Sequence, residues 1–429
     1  MIFNTWLFGV FGVLTFVLYW YVVPKTWRPW FLMLAGLVFY CASIPAYTLL
    51  ILALAAVTYG VIRWLLALPP DATRARRIAV SIGITASVGV LLFFKYTKLF
   101  ATTFGSLCHG GCINLVPNII VPLAVSFFTF EFVHALVDVY IGKIKHVGFR
   151  DFALFSLFFP TMVAGPIKRY QNFVPQIDNV TKMDRLNGLV FASGVFRIIL
   201  GLAKKSIIAD SMNPLVQPLL TPQPYYTHAD YWMGALAYTA KIYFDFTGYS
   251  DIAIGCSLLL GFQILENFDR PYWSENISVF WRRWHISLSS WIRDYIFIPL
   301  GGSRRGKVWT IANLAIVMGL AGLWHGAAWH FVVWGLWNGA GLGLHRVWTG
   351  LVGSRLPEAM KASRWLAGVS IAATFLFTVF GWVLFAVPDT KTAGVVYREM
   401  VAWPGANSAD HSHVGRVRRN VVGQVSGLP

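Results

Sequence analysis

The chain has 429 residues, of which 57% are hydrophobic and only 12% are charged, whereas soluble domains carry about 25% charged residues. This composition excludes a series of soluble globular domains, and the mean hydropathy of +0.60 excludes a largely disordered chain. The formal net charge is +17, but the basic residues are grouped in short loops between apolar segments. That distribution is typical of a membrane protein with basic cytoplasmic loops, and it argues against nucleic-acid binding.

Apolar segments long enough to approach a bilayer crossing recur along the chain. A spanning helix needs about 20 mainly apolar residues. In chain order, the eleven candidate segments cover residues 2–23, 30–44, 46–68, 78–99, 119–141, 150–166, 187–208, 231–261, 308–323, 327–347 and 364–387. The sequence therefore predicts an all-α polytopic membrane protein, with one transmembrane domain over residues 1–387.

Basic clusters after the first, third and fifth segments indicate an orientation. These clusters begin at Lys25, Arg74 and Lys143. If all three loops are cytoplasmic, the N-terminus lies outside, and the loop that holds Cys108 and Cys112 lies in the periplasm. A disulfide bond could persist in that oxidising compartment.

The fifth segment carries three polar side chains on one helical face. Glu131, His134 and Asp138 follow one another at spacings of three and four residues. A Glu-x-x-His pair forms half of some di-metal sites in helical bundles, but the sequence shows no second half. We therefore favour a polar seam between helices and predict no metal site.

Two carboxylates flank a glycine in the eighth segment. Asp245 and Asp251 stand on either side of Gly248 and its hydroxyl-bearing neighbours. This pattern is consistent with a broken helix that lines a substrate path, and equally with a helix that uses glycine for close packing.

Residues 262–307 interrupt the series of spans. Aromatic and aliphatic residues recur there at helical spacing, and polar residues follow the same spacing on another face: Arg282, His285, Ser289 and Arg293. The pattern predicts one amphipathic helix at the membrane interface. Its basic stripe could attract an anionic donor or lipid headgroups.

His325 follows directly after the ninth apolar segment, among the closely spaced glycines Gly319, Gly322 and Gly326. Small residues let a second helix approach closely. An imidazole in such an apolar setting tends to be neutral, and neutral imidazole can accept a proton. The alternative is a core histidine that makes one interhelical hydrogen bond. We interpret His330, on another face, as structural.

The end of the chain differs in character from the rest. Residues 388–429 are polar and basic and show no clear periodicity. They predict a solvated or disordered end that membrane insertion does not require.

Several strings of residues now indicate a family. They are FPTMVAGPI at 159–167, FDFTGYSD at 244–251, FDRPY at 268–272, FWRRWHISL at 280–288, IPLGG at 298–302 and LWHG at 323–326. In this order they resemble the membrane-bound O-acyltransferase family, and specifically its bacterial alginate O-acetylase branch. The resemblance covers roughly residues 1–387. Relatives usually continue with further apolar helix, whereas the apolar pattern here stops near Val387, which makes the tail atypical for the family.

The resemblance implies a ring of about 10–11 tilted transmembrane helices around a central funnel or tunnel, in the bacterial inner membrane. It implies that His325 is the catalytic histidine and His285 the second signature histidine. We further predict a substrate channel lined by Asp251, Arg282, Asp294 and Trp324. The implied donor is a cytoplasmic acyl thioester such as acetyl-CoA, with no bound cofactor and no metal. A periplasmic O-acetyltransferase partner and a polysaccharide acceptor are implied as well.

The predicted function is O-acetylation of an exported polysaccharide such as alginate, with His325 as general base. D-alanyl or other acyl transfer to a cell-envelope polymer is the nearest alternative. A transporter would favour repeated halves, which the sequence does not show. A non-catalytic scaffold would tolerate replacement of both histidines.

Overall fold

The computed structural model describes residues 5–42, 45–107, 119–163 and 165–402. Within these ranges the chain is helical and contains no β-strand. The α-helices are α1 (Trp6–Val17), α2 (Arg28–Cys41), α3 (Pro45–Ala67), α4 (Thr73–Leu107), α5 (Val125–Tyr140), α6 (Phe149–Leu157), α7 (Tyr170–Val180), α8 (Gly188–Leu202), α9 (Asn213–Leu220), α10 (His228–Leu259), α11 (Ile277–Arg283), α12 (Ile286–Ile292), α13 (Lys307–His325), α14 (Trp329–Leu351), α15 (Glu358–Lys361), α16 (Arg364–Ala386) and α17 (Thr390–Val401).

Four of these helices are both long enough and apolar enough to cross a membrane, namely α3, α4, α13 and α16. The prediction of an all-helical membrane protein is confirmed, but the eleven predicted segments are not eleven regular spans. Segment 150–166, for example, is wrong as a single span, because α6 ends at Leu157 and a 3₁₀ turn with Pro160 follows. Proline has no backbone N–H to continue a helix. The ring around a funnel stays a prediction, and the loop with Cys108 and Cys112 lies outside the described residues.

The buried side chains form two main clusters. One is built mainly from α1 to α7, and the other from α9 to α17, with α10 contributing to both. A smaller cluster joins α5 to α12 through Phe130, Leu288 and Trp291, and Trp324 packs against it. Helices that are distant in the chain are thereby brought together around the C-terminal end of α13.

The polar face of α5 is a seam between helices, as predicted. Glu131 pairs with Lys168, and both side chains are fully buried. His134 Nε2 accepts a hydrogen bond from the Tyr170 backbone N–H at 3.0 Å, and Asp138 accepts one from the Tyr295 hydroxyl at 2.7 Å. Each of the three side chains has at least one protein partner, which lowers the cost of burying it.

The glycine of the eighth segment serves packing. Helix α10 runs without a break from His228 to Leu259, and Gly248 faces Gly201 of α8. A Cβ atom at Gly248 would lie 2.8 Å from the Gly201 carbonyl oxygen. Of the two interpretations of this region, the structure favours close packing over a broken helix.

The packing of α13 against α14 depends on small residues within both helices. A Cβ atom at Gly322 would lie 2.1 Å from the Phe331 carbonyl oxygen, and one at Gly335 would lie 2.1 Å from the Met318 carbonyl oxygen. The two helices therefore pack backbone against backbone. This bears out the expectation that Gly322 lets another helix approach closely.

The predicted amphipathic helix in 262–307 is wrong as a single element. It is divided into α11 and α12, and His285 between them has a left-handed backbone with φ of 45°. The preceding loop stabilises the break. The Ile286 N–H donates to the Asn267 carbonyl at 2.9 Å, and the Asn267 side chain accepts hydrogen bonds from Ser287. Side-chain periodicity cannot reveal this break, because the residues on both sides of His285 keep helical spacing.

The prediction of a solvated end is wrong for residues 390–401, which form α17. Val396 and Met400 are buried, and the Trp232 indole N–H donates to the Met400 carbonyl at 2.9 Å. Asp389 caps the helix by accepting a hydrogen bond from the Thr392 N–H, which holds the pKa of that carboxyl below its usual range. The apolar stripe of α17 is too short to stand out in a polar segment. Residues 403–429 lie outside the described part of the chain.

Candidate active site

His325 is the last residue of α13, and the chain leaves the helix at Gly326. Its imidazole lies within a group of aromatic rings. The ring centroids are 4.7 Å from Trp324, 5.2 Å from Trp334 and 5.0 Å from Phe385. Helices α13, α14 and α16 therefore combine to fix the imidazole in apolar surroundings.

Helix α4 holds the carbonyl end of α13. The Tyr96 hydroxyl donates to the Leu323 carbonyl at 2.8 Å, and the Lys95 ammonium donates to the Trp324 carbonyl. These are two of the last carbonyls of a helix, which have no partner within the helix itself. Sequence reasoning did not assign Lys95 to the site. The sequence feature that could have identified Lys95 is its charge, because a charged residue within an apolar segment is by itself a functional candidate.

His285 lies near Trp324, whose ring also contacts His325. Only 1% of His285 is exposed, and neither ring nitrogen has a hydrogen-bond partner in the part of the chain that the structure describes. Its ring centroid is 4.6 Å from that of Phe246 and 6.3 Å from that of Trp324. A left-handed backbone is unfavourable for a non-glycine residue, and such residues cluster at functional sites.

Trp324 contacts both histidines. Its indole is 4.7 Å from the ring of His325 and also packs 5.1 Å from Phe130 of α5. The indole Nε1 is buried and lacks a hydrogen-bond partner within the described ranges. The structure thus brings together three of the predicted site residues, namely His285, Trp324 and His325.

A cavity of about 270 Å³ opens beside His325, between α11, α12, α13 and α14. Along α13 its lining extends from Leu314 to His325, about 16 Å at the helical rise per residue. Arg282 and Arg293 also line it, and both residues are exposed. A predominantly apolar cavity with an imidazole and two guanidinium groups can hold an anionic molecule with a long, mainly uncharged arm.

Of the four predicted channel residues, Arg282 lines this cavity, whereas Trp324, Asp251 and Asp294 lie outside its lining. Asp251 is buried and forms ion pairs with Arg197 at 3.1 Å and Lys204 at 2.6 Å. Asp294 pairs with Arg169 at 3.1 Å, and with its neighbour Arg293. These contacts favour structural roles that tie helices together.

His330 lies on α14, one helix beyond His325. Its Nδ1 lies 2.9 Å from the Leu384 carbonyl of α16, and the residue is buried. This contact agrees with a structural interpretation. In the described residues, no three His, Cys, Asp or Glu side chains lie close enough together to hold a metal ion.

The chain matches the family model described as "MBOAT, membrane-bound O-acyltransferase family" over residues 77–387. It is 35% identical to the probable alginate O-acetylase of Azotobacter vinelandii over 408 residues, which cover 94% of this chain and 78% of the relative. It is 32% identical to the peptidoglycan O-acetyltransferase of Helicobacter pylori, again over 94% of this chain and 78% of the relative. It is 30% identical to the teichoic acid D-alanyltransferase of Bacillus subtilis, over 63% of this chain and 69% of the relative.

Proposed function

This chain belongs to the membrane-bound O-acyltransferase family and is an O-acyltransferase, and from that premise we propose that it O-acetylates an exported polysaccharide such as alginate. The donor is a cytoplasmic acyl thioester, for which acetyl-CoA is the proposed example. The protein lies in the bacterial inner membrane and passes the acyl group toward the periplasm.

One observation carries the proposal: the imidazole of His325 borders a cavity that also contains two guanidinium groups. Arg282 and Arg293 suit the phosphates of a thioester donor, since guanidinium forms strong charge-assisted hydrogen bonds to phosphate oxygens. The apolar lining along α13 suits the long arm that carries the thioester. A donor bound in this way would present its thioester carbonyl to His325.

The charges around α13 support entry of the donor from the cytoplasm. This helix begins at Lys307, directly after Arg304 and Arg305. Basic residues beside a span favour the cytoplasmic side. The cavity lining begins at Leu314, nearer to this basic end, and reaches His325 at the opposite end of the helix.

In the proposed reaction, neutral His325 accepts the proton of the acceptor hydroxyl as its oxygen attacks the thioester carbonyl carbon. The tetrahedral intermediate then collapses, the carbon–sulfur bond breaks, and the thiolate leaving group takes up the proton from His325. The products are an O-acyl ester and a free thiol. General base catalysis of this kind contributes about 10²–10⁴-fold to the rate.

His285 and Trp324 would act on the acceptor side. Burial of an unpaired imidazole or indole N–H is costly, so these groups suit a bound substrate that supplies the missing partner. We propose that His285 orients the acceptor hydroxyl or stabilises the charge that develops during attack. A periplasmic O-acetyltransferase partner would then carry the acyl group to the polysaccharide.

Transfer of a D-alanyl group is the alternative substrate assignment, favoured by the similarity to the teichoic acid D-alanyltransferase. The test is label transfer by purified protein in lipid vesicles. Acetyl-CoA and a D-alanyl thioester of a carrier protein are supplied separately, with and without a candidate periplasmic partner and alginate. Acetyl transfer that His325→Ala abolishes supports the proposal. If only the D-alanyl group is transferred, the D-alanyl thioester replaces acetyl-CoA as the assigned donor. If no donor supports transfer, a scaffold role is favoured.

A further inference from the structure

The C-terminal end of α13 carries the catalytic candidate and is also the negative end of the helix dipole. A helix C-terminus bears a partial charge of about −0.5, concentrated on its last carbonyl groups. His325 is the last residue of this helix, so the reacting groups would lie beside that negative charge. Attack on a thioester makes the carbonyl oxygen an oxyanion, which such a negative end would destabilise.

Lys95 lies at the position that opposes this charge. Its ammonium group donates to the carbonyl of Trp324, the residue directly before His325, and lies 5.5 Å from the centroid of the Trp324 ring. Its neighbour Tyr96 donates to the preceding carbonyl, that of Leu323. Two consecutive residues of α4 therefore cap two consecutive carbonyls of α13, but only one of the two caps is charged.

Lys95 is too costly in this setting to be explained by the cap alone. A charged side chain within an apolar span is unfavourable, and a neutral donor such as the hydroxyl of Tyr96 satisfies a carbonyl equally well. The extra effect of an ammonium group is electrostatic, because a cation at a helix C-terminus offsets the dipole. Arg282 and Arg293 line the neighbouring cavity, and neither forms a described hydrogen bond to these carbonyls.

We propose that Lys95 is a positioning residue for the acyl-transfer step: it fixes the end of α13 and neutralises the negative carbonyl end at His325. This inference rests on the proposed function. It assigns a role to a residue that does not line the cavity.

The kinetic test compares four variants in the vesicle assay. Lys95→Gln keeps a hydrogen-bond donor but removes the charge, and Lys95→Met removes the donor and the charge. Lys95→Arg keeps the donor and the charge. Tyr96→Phe removes only the neutral cap on the Leu323 carbonyl. We expect kcat to fall about ten-fold in Lys95→Gln and further in Lys95→Met, with the KM for the donor unchanged. Lys95→Arg should stay within about three-fold of the unmodified protein. An equal loss of kcat in Tyr96→Phe and Lys95→Gln would overturn the electrostatic role.

A second test does not depend on acyl transfer. The thiol of His325→Cys reports the local potential, because only the thiolate reacts with iodoacetamide and a nearby cation favours the thiolate. Alkylation of Cys at position 325 is followed by peptide mass spectrometry at one pH. We expect the rate to fall about ten-fold when Lys95→Gln is added, and to change little with Lys95→Arg or Tyr96→Phe.

An alkylation rate that is insensitive to Lys95→Gln would refute the proposal even if the enzyme acetylates its substrate. Conversely, a sensitive rate in a protein that transfers no acyl group would support the electrostatic role of Lys95 and count against the proposed function. If Lys95→Gln is not recovered from membranes, Lys95→Met replaces it as the charge-free variant in both measurements, with the same expected direction of change.

Discussion

The imidazole of His285 and the indole of Trp324 lie 6.3 Å apart between ring centroids, and both carry buried nitrogen atoms without a hydrogen-bond partner in the described structure. The ring of His325 is 4.7 Å from the same indole. Trp324 therefore contacts two histidines that lie in different parts of the sequence. In the proposed reaction, His285 and Trp324 act on the acceptor, and His325 acts at the thioester.

Replacement of His325 by Ala should leave the protein folded and reduce acyl transfer by at least about 10²-fold, because the general base is lost. The aromatic rings of Trp334 and Phe385 remain to fill much of the surroundings. The measurement is kcat for label transfer, normalised to the amount of protein in the membrane. Activity near that of the unmodified protein would reject the catalytic assignment.

His330→Ala is the control for that experiment, but it is not neutral for stability. The variant loses the buried contact between His330 and the Leu384 carbonyl. Loss of a buried hydrogen bond costs about 1–3 kcal/mol, so we expect a lower Tm in detergent. Activity per folded molecule should be retained, which distinguishes a structural histidine from a catalytic one.

His285→Asn should lower kcat by about 10- to 100-fold while the protein keeps its fold. Asparagine tolerates the left-handed backbone of this position better than most residues do, so the break between α11 and α12 is preserved. His285→Ala adds backbone strain to the loss of the imidazole and should also lower Tm. A His285→Asn variant with unchanged kcat would show that the ring has no part in the reaction.

Arg282→Gln and Arg293→Gln should each raise the KM for an anionic thioester by about 3- to 30-fold, with little effect on kcat. The guanidinium groups contact the donor far from the reacting carbonyl in our proposal. Arg283→Gln is the matched control, since Arg283 donates to the Trp273 carbonyl and does not line the cavity. If all three changes raise the KM equally, the cause is the general loss of positive charge and not the loss of a contact in the cavity.

A chain that stops after Pro388 should still insert into the membrane but show a reduced Tm, because it loses the packing of α17. The buried residues Val396 and Met400 and the hydrogen bond from Tyr397 to the Phe380 carbonyl would be absent. A chain that stops after Ala402 keeps α17 and should have a higher Tm than the chain that stops after Pro388. Membrane fractionation and thermal unfolding distinguish insertion from stability.

The sequence by itself determined the class of protein, the family and three of the residues around the candidate site. Composition indicates a membrane protein because a lipid environment excludes most charges. The aromatic and histidine motifs are contiguous strings, so His285, Trp324 and His325 can be found without a structure. The seam on α5 is also visible, since helical spacing alone places Glu131 and His134 on one face.

Tertiary structure decided which of these residues meet and what the others do. The break at His285 depends on hydrogen bonds to Asn267 in a preceding loop. The helical spacing of nearby residues cannot reveal this partner. Asp251 and Asp294 are candidates by their charge, but ion pairs with Arg197 and Arg169 give them other partners. Lys95 reaches the end of α13 from α4, more than two hundred residues earlier in the chain. The local sequence determines where helices form and which residues share a helix face. The partners of buried charges and helix ends depend instead on which distant helices pack side by side in the fold.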